Sequence, residues 1–367
     1  MTEDHRPDIG RLAVAWYSDR ARDLPWRRTK DPYAVWVSEI MLQQTTVATV
    51  APRFAAFLLR FPNLVTMAQA SEEELLEEVV GLGYYRRFRA MKKTADLLVS
   101  ESLDSLPTDY RALRELPGIG DYTAGAVASI AFNEPVAAID GNAIRVLSRL
   151  LARGGLHVSA ASKRALAVDA VAMIPSGRAS EFTQALFDLG ATVCRPREPD
   201  CDACPVQTHC AALQQDRIDE FPQLAKRRES IPRLVAVAWI QDESHRRVLL
   251  QRRTADASRM PGFWQLPEIW LAPSDDAKSA LAEMLSDLGT DSSVGEELAR
   301  ARHSITHHRL DCRLHAVTIG AGRLAALAAR EEFEFFSIDE LQAAAAPLST
   351  ISRKLWLQNM KRQTPSP

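Results

Sequence analysis

The chain has 367 residues, of which 46% are apolar and 25% charged, and its formal net charge is −2. At about 150 residues per domain this length indicates two domains or three, and the composition excludes a mostly disordered chain. No apolar run approaches the ~18–20 residues that cross a bilayer, and the polar start MTEDHRPD is unlike a secretory signal. We therefore expect an intracellular protein whose nucleic-acid contacts, if any, use local basic patches.

The first part of the chain has apolar residues at helical spacing, which predicts an all-α domain over residues 1–215. Asp31-Pro32 is typical of a helix start, with the aspartate as N-cap and the proline in the first turn. Ser71, followed by three glutamates, predicts a capping box. Residues 216–233 are charged and irregular, so we expect a linker there.

Beyond residue 233 the pattern changes to short apolar runs separated by polar turns, which predicts strands. The predicted strands cover residues 234–240, 248–253, 312–319 and 333–338. Helical stretches near 276–288 and 338–346 complete the pattern, so residues 234–367 are expected to form a second, α+β domain.

An acidic residue lies among apolar positions early in the chain. Val35, Glu39 and Leu42 are spaced to share one helical face. Burial of a carboxyl on such a face raises its pKa, which makes Glu39 a candidate general acid near neutral pH. The alternative is an exposed glutamate on a helix with a different phase.

Two glycines, Gly118 and Gly120, lie between helical stretches predicted at 108–115 and 121–132. Glycine permits a tight turn, and the free N–H groups of a helix start bind anions such as a DNA phosphate. The alternative is a simple helix–turn–helix corner. Asp140, about twenty residues further, is either a helix N-cap or a carboxylate that a helix start places in a site.

Four of the five cysteines, Cys194, Cys201, Cys204 and Cys210, fall within the segment 194–210. Four thiolates in one loop suit a tetrahedral zinc ion or a [4Fe–4S] cluster. A structural zinc site more often uses two Cys-x2-Cys pairs, and only one occurs here, which favours the cluster. Cys312 is expected to be a small apolar strand residue.

These motifs together resemble one family. The segments that carry the resemblance are WVSEIMLQQT (36–45), LPGIGDYTAGA (116–126), IDGNAIRVLSRL (139–150), FTQALFDLGA (182–191) and the four-cysteine loop. The chain resembles the MutY-type adenine DNA glycosylases of the helix–hairpin–helix, or endonuclease III, superfamily, which carry a C-terminal Nudix-like domain. The resemblance implies hydrolysis of the N-glycosidic bond of adenine mispaired with 8-oxoguanine or guanine, after the base leaves the duplex.

The resemblance also implies roles for the catalytic residues. Glu39 would protonate adenine at N7, and Asp140 would stabilise the oxocarbenium-like sugar. Tyr122 and Asn142 would position Asp140 and the attacking water. In endonuclease III a lysine stands at the position of Tyr122. Without that amine no Schiff base forms, so no lyase activity is expected.

Further residues are implied to contact DNA. Arg27 and Gln184 would line the adenine pocket, and Gln44 and Tyr84 would fill the gap in the base stack. Other implied contacts are to the substrate through Leu42, Thr45 and Leu82, and to the DNA backbone through Gly118, Gly120, Arg86 and Arg87. Thr306 and His307 correspond to part of a lesion-reading loop, Phe-Ser-His in many bacterial members, in which Ile305 replaces the phenylalanine.

The expected cofactor is therefore a [4Fe–4S] cluster, and the expected partner is duplex DNA with 8-oxoguanine:adenine or guanine:adenine mispairs. We expect a monomer without membrane contact, cytoplasmic and associated with the nucleoid. The Nudix-like domain is expected to recognise the lesion rather than hydrolyse pyrophosphates, because the acids that hold the metal are missing. The alternatives are a helix–hairpin–helix glycosylase for thymine or uracil opposite guanine, and a non-catalytic iron–sulfur DNA-binding protein.

Overall fold

The computed structural model describes residues 5–153, 159–223, 229–254, 256–257, 259–342 and 347–363. The chain divides into two compact units, Met1–Lys226 and Arg227–Pro367. The first unit is helical and the second combines strands with helices, which confirms the predicted fold classes. No helix of the described residues is long and apolar enough to cross a membrane.

The first unit consists of helices joined by short loops. They are α1 (Arg6–Arg20), α2 (Pro32–Leu42), α3 (Val47–Arg60), α4 (Leu64–Gln69), α5 (Glu72–Glu78), α6 (Arg86–Ser100), α7 (Tyr110–Glu115), α8 (Asp121–Phe132), α9 (Gly141–Leu150), α10 (Ala160–Val171), α11 (Ala179–Asp188) and α12 (Ala211–Gln214). Asp31 caps α2 by accepting the N–H groups of Tyr33 and Ala34. Ser71 and Glu74 form the predicted capping box of α5.

The core of the first unit surrounds α11. This helix packs against α1, α8 and α9, and it buries Phe182, Ala185 and Leu186. Helix α2 packs against α8, and nine of its residues, from Tyr33 to Met41, are buried. These packings bring the C-terminal half of α2, the start of α8 and the start of α9 to one place.

The second unit contains two sheets. Its strands are β1 (Ile231–Ile240), β2 (Arg247–Arg252), β3 (Trp264–Gln265), β4 (Glu268–Leu271), β5 (Ser292–Ile305), β6 (His308–Ile319) and β7 (Phe333–Ser337). One sheet has the order β4-β1-β6-β5 and the other β3-β2-β7. Its helices are α13 (Ala277–Asp287), α14 (Ala321–Ala328), α15 (Ile338–Gln342) and α16 (Thr350–Gln363). Strands β1 and β6 are parallel, whereas β5 and β6 form an antiparallel hairpin.

The expected linker differs from the structure at both ends. Phe221 is buried and its carbonyl accepts a hydrogen bond from Arg149, so the first residues of the segment pack on the helical unit. Strand β1 begins at Ile231, three residues before the predicted domain start. Residues 224–228 of the linker, and 343–346 of the helix expected at 338–346, lie outside the described residues.

Candidate active site

A cavity of about 1220 Å³ opens on the first unit. Its wall is formed by the start of α8, the start of α9, the C-terminal half of α2 and one side of α11. Eleven of the predicted site residues line it: Arg27, Glu39, Leu42, Gln44, Thr45, Gly118, Gly120, Tyr122, Asp140, Asn142 and Gln184. Residues distant in sequence therefore meet at a single concave site.

Glu39 lies on the buried side of α2 and is only 4% exposed. Its Oε2 accepts a hydrogen bond from the hydroxyl of Tyr122. Burial raises the pKa of Glu39 to about 7, and the charge of Asp140 acts in the same direction. The hydrogen bond from Tyr122 and the charge of Arg27 oppose this shift without cancelling it. A carboxyl in this state can hold a proton near neutral pH and release it to a ligand.

Asp140 is the N-cap of α9 and also lines the cavity. Its Oδ1 accepts the N–H of Ala143 at 2.6 Å, and its Oδ2 accepts Nδ2 of Asn142 at 3.0 Å. Burial raises the pKa of Asp140, while these two hydrogen bonds favour the ionised form. The two alternatives for Asp140, cap or site carboxylate, are thus combined in one residue.

Tyr122 occupies a place different from the expected one. We expected its hydroxyl to position Asp140, but the hydroxyl donates to Glu39. The reason is that Tyr122 lies in the first turn of α8, which packs against α2. Its ring contacts Phe187 with a centroid separation of 6.1 Å. Asn142, in contrast, does contact Asp140.

Arg27 is held by a buried aspartate that the sequence analysis did not single out. Asp188, with a fully buried side chain, accepts Nη2 of Arg27 at 2.7 Å and Nε of Arg22 at 2.6 Å. Burial alone would raise the pKa of Asp188, but the hydrogen bonds and charges of Arg27 and Arg22 lower it. Gln184, one turn earlier, donates Nε2 to the carbonyl of Ser180 at 3.3 Å.

Arg145 is a second residue that the sequence did not indicate. Its Nη2 donates to Oδ1 of Asn142 at 2.9 Å and to the carbonyl of Gly190 at 2.7 Å. Its Nε donates to the carbonyl of Cys194 at 2.7 Å. A Cβ on Gly190 would lie 2.5 Å from Cβ of Asn142, so only glycine permits this close approach.

The two residues expected to enter the base stack, Gln44 and Tyr84, are both exposed, Tyr84 to 57%. Both have left-handed backbones, with φ of +55° and +48°. Between their turns the structure contradicts one expectation. Arg87 does not face outward to DNA but is buried, 8% exposed, and donates to backbone carbonyls. The side chain of Leu82 is buried as well, whereas Arg86 is exposed.

The glycine turn before α8 has the predicted form. Gly118 has φ +74°, and a Cβ there would lie 2.4 Å from Cβ of Ala90. Gly120 is the N-cap of α8, and no side chain caps the helix. The space beside Gly120 is open. Backbone N–H groups at such a helix start are available to an anion.

The four cysteines of the 194–210 segment surround one small cavity together with Arg149. Nη1 of Arg149 lies 3.5 Å from Sγ of Cys194 and donates to the carbonyl of Arg195 at 2.7 Å. Burial raises the pKa of Cys204 to about 11, and the neighbouring thiols add to this effect. Four thiolates here would need positive charge nearby, and Arg149 supplies one such charge.

Four cysteine thiols around one cavity are a donor set that both a zinc ion and a [4Fe–4S] cluster use. Among the described residues, no three His, Cys, Asp or Glu side chains group as ligands around a single metal ion.

In the second unit, the residues of the expected lesion-reading loop form a hairpin turn. Ile305 pairs with His308, which leaves Thr306 and His307 as the two turn residues between β5 and β6. Thr306 has a left-handed backbone, with φ +53°. Elsewhere in this unit, Glu268 is bound by Arg253 at 2.9 Å.

Each of the two units matches a known protein family. Residues 37–167 match the model of the HhH-GPD superfamily base excision DNA repair proteins, and residues 236–358 match the NUDIX domain. The adenine DNA glycosylase of Mus musculus is 32% identical over 359 residues, which cover 83% of this chain and 70% of that protein. The adenine DNA glycosylase of Rattus norvegicus is 43% identical over 58% of this chain and 43% of that protein.

A solved structure of a thermostable thymine-DNA glycosylase matches with a TM-score of 0.53 and 27% identity, over 58% of this chain and 98% of that one. Among the adenine DNA glycosylases, the matched region spans less than half the length of the rat protein but more than two thirds of the mouse protein. The expected family resemblance is confirmed by these findings. The chain belongs to the adenine DNA glycosylase family.

Proposed function

We propose that this chain hydrolyses the N-glycosidic bond of adenine mispaired with 8-oxoguanine or guanine in duplex DNA. The observation that carries the proposal is Glu39, a buried carboxyl on the wall of the cavity with a pKa raised to about 7. The adenine would leave the base stack and enter this cavity, which is large enough for a base and its sugar.

The chemistry divides between two carboxyl groups. Protonated Glu39 donates to N7 of adenine, so the base departs neutral after the C–N bond breaks and its electron pair moves to the base. The sugar then carries the positive charge of an oxocarbenium-like ion, and ionised Asp140 stabilises it. Water then adds to the sugar carbon and releases a proton, which the ionised carboxylate of Glu39 accepts, so that the acid is restored. Asn142 holds the carboxylate of Asp140 for this task.

The reaction is proposed to stop at the abasic site. A lyase step through a Schiff base requires an amine near the sugar carbon. Tyr122 occupies that position, and its hydroxyl is bound to Glu39. In this arrangement the hydroxyl of Tyr122 orients the carboxyl of Glu39 through a hydrogen bond.

Cys194, Cys201, Cys204 and Cys210 would hold a [4Fe–4S] cluster. When bound, the cluster braces the loop and supplies the positive charge that four neighbouring thiolates require. Arg149 fixes the same loop through the carbonyl of Arg195.

Recognition of the partner base is proposed to lie in the Nudix-like unit, at Thr306 and His307. Both residues lie in the two-residue turn at the end of a long hairpin, where Thr306 is exposed and His307 is partly exposed. Recognition rather than metal-dependent hydrolysis is supported by the missing metal-holding acids, since Glu283 is the only acidic residue in the segment 277–286. We also propose that the protein acts as a monomer on duplex DNA, in the cytoplasm and associated with the nucleoid.

The test is single-turnover base release from short duplexes. Adenine is placed opposite 8-oxoguanine, guanine or thymine, and thymine or uracil opposite guanine, with and without alkali. We expect release of mispaired adenine only, with strand breaks only after alkali. Glu39→Gln should abolish release and retain DNA binding. Release of thymine or uracil, for which the similarity to a thymine-DNA glycosylase is the motive, would overturn the proposal.

A further inference from the structure

One buried guanidinium lies between the two turns that carry Gln44 and Tyr84. Arg87 belongs to the first turn of α6, and its side chain is 8% exposed. Its hydrogen-bond acceptors are carbonyl and hydroxyl oxygens from both turns. The pKa of Arg87 is lowered to about 10 by burial, so the residue stays charged at neutral pH.

The first set of bonds fixes the end of α2. Nη1 of Arg87 donates to the carbonyls of Ile40 at 2.7 Å and Met41 at 3.1 Å, and also to that of Gln43. The last carbonyls of a helix lack the N–H donors that a continuing helix would supply. The carbonyl of Ile40 also accepts the N–H of Gln43 at 3.3 Å, and the guanidinium adds a further donor. The carbonyl of Gln43 belongs to the peptide directly before Gln44. Its hydrogen bond therefore fixes the orientation of the peptide that precedes this left-handed residue.

The second set of bonds repeats this pattern at the other turn. Nη2 of Arg87 donates to the carbonyls of Leu82 at 3.1 Å and Gly83 at 3.4 Å. The carbonyl of Gly83 belongs to the peptide directly before Tyr84. Nη2 also donates at 2.9 Å to the hydroxyl of Thr45, which in turn contacts the carbonyl of Leu82 at 3.2 Å.

We propose that Arg87 is a positioning residue that holds these two turns at one spacing and thereby sets Gln44 and Tyr84 to enter the base stack together. The inference rests on the proposed function, because both side chains must meet duplex DNA. Side chains other than glycine enter the left-handed region at a steric cost, which the surrounding structure must compensate. Arginine suits the task because its planar fork offers five donors in fixed directions, whereas lysine offers a point charge.

The test measures unstacking of the target base without any chemistry. Glu39→Gln serves as background, and 2-aminopurine, a fluorescent isomer of adenine, is placed opposite 8-oxoguanine. In this background we expect fluorescence to rise on binding. Adding Arg87→Lys should reduce the fluorescence increase by about tenfold at saturating protein, because displaced Gln44 and Tyr84 side chains no longer enter the stack beside the base. Thr45→Val, which removes only the bridging hydroxyl, should reduce it in the same direction.

Leu98→Ala is the matched control, because Leu98 is buried about three turns further along the same helix and its truncation destabilises the fold at a distance from both turns. It should leave the fluorescence rise within about twofold at a temperature where all variants are folded. A second readout is coupling. The fluorescence increase of the double variant Arg87→Lys, Gln44→Ala should differ by at least about threefold from the value expected if the two separate effects were independent.

Equal losses for Arg87→Lys and Leu98→Ala, or additive effects of Arg87→Lys and Gln44→Ala, would overturn the role of Arg87. If Arg87→Lys does not fold, Thr45→Val decides the same question. Failure of the proposed function is seen separately, as absence of adenine release by the unmodified protein. A lack of any fluorescence rise in the Glu39→Gln background would refute insertion into the stack and the inference with it.

Discussion

Arg145 joins Cys194 to Asn142 through a single guanidinium. Its Nε donates to the carbonyl of Cys194, and its Nη2 donates to Oδ1 of Asn142. Because Asn142 in turn donates to Asp140, the cysteine loop and the site carboxylate are three hydrogen bonds apart. The position of Asp140 therefore depends on a loop outside the cavity.

Arg145→Gln should break this link between the cysteine loop and Asn142. The shorter amide cannot reach both partners, so Asp140 loses its fixed orientation while DNA contacts are kept. We expect the single-turnover rate of adenine release to fall by about tenfold or more, with DNA affinity within about threefold. The exposed Arg60, which pairs with Glu74, provides the control Arg60→Gln. An unchanged rate for Arg145→Gln would contradict the link.

The pH dependence of the reaction follows from the two carboxyl groups. Glu39 must be protonated, and its pKa is raised to about 7, so the rate should fall as the pH rises through this value. Asp140 must be ionised, and its pKa is raised from 3.8, so the rate should also fall toward acidic pH. Single-turnover rates across this range should give a bell-shaped profile. A rate that keeps rising at alkaline pH would exclude Glu39 as the acid.

Glu39 also has a consequence for stability. Its folded pKa, about 7, lies above its ordinary value of 4.5. The stabilisation from its bound proton is complete below the ordinary value and is lost as the pH rises through the folded value, by up to about 3 kcal/mol. Glu39→Gln removes this dependence, so its melting temperature should exceed that of the unmodified protein at alkaline pH and approach it at acidic pH.

Cysteine substitutions distinguish ligands from structural thiols. Cys204→Ser should remove the visible absorbance and bound iron of the cluster and lower the melting temperature, because the thiolate set is broken. Cys312 is buried in β6, and burial raises the pKa of its thiol to about 12. Cys312→Ala should therefore keep the full iron content. Iron retained after loss of Cys204 would mean that the four cysteines are not the ligands.

The hairpin turn can be tested by a matched pair of histidines. His307 lies in the turn between β5 and β6, and His245 lies in the turn between β1 and β2. His307→Ala should lower the preference for adenine opposite 8-oxoguanine over adenine opposite guanine by about tenfold, the size of one or two lost polar contacts. His245→Ala should leave this ratio unchanged. The ratio of the two single-turnover rates is the measurement.

Features set by neighbouring residues could be predicted from the sequence. The start of α8 at Asp121 follows from the glycine turn before it. The N-cap role of Asp31 and the burial of Glu39 follow from local spacing. Strand β5 is not evident in the sequence because it is an edge strand in which only Ala299 and Ala301 are buried, and this weakens the alternating pattern.

Features that depend on distant segments could not be predicted. Arg87 stands in a basic stretch of sequence, which is typical of an exposed surface. Its burial arises only because the end of α2 and the turn at 82–84 place their carbonyls around it. The same holds for Asp188, whose partners Arg22 and Arg27 are more than 160 residues away.

The peptides that precede Gln44 and Tyr84 are both hydrogen-bonded to Arg87, and this affects the kinetics of lesion search. A protein that moves along DNA by sliding and hopping spends only a short time at each base pair. A probe that first had to order itself would lengthen every one of these visits. With both residues held by the fold itself, each base pair can be tested at the stepping rate, so a rare mispair can be found among a large excess of intact ones.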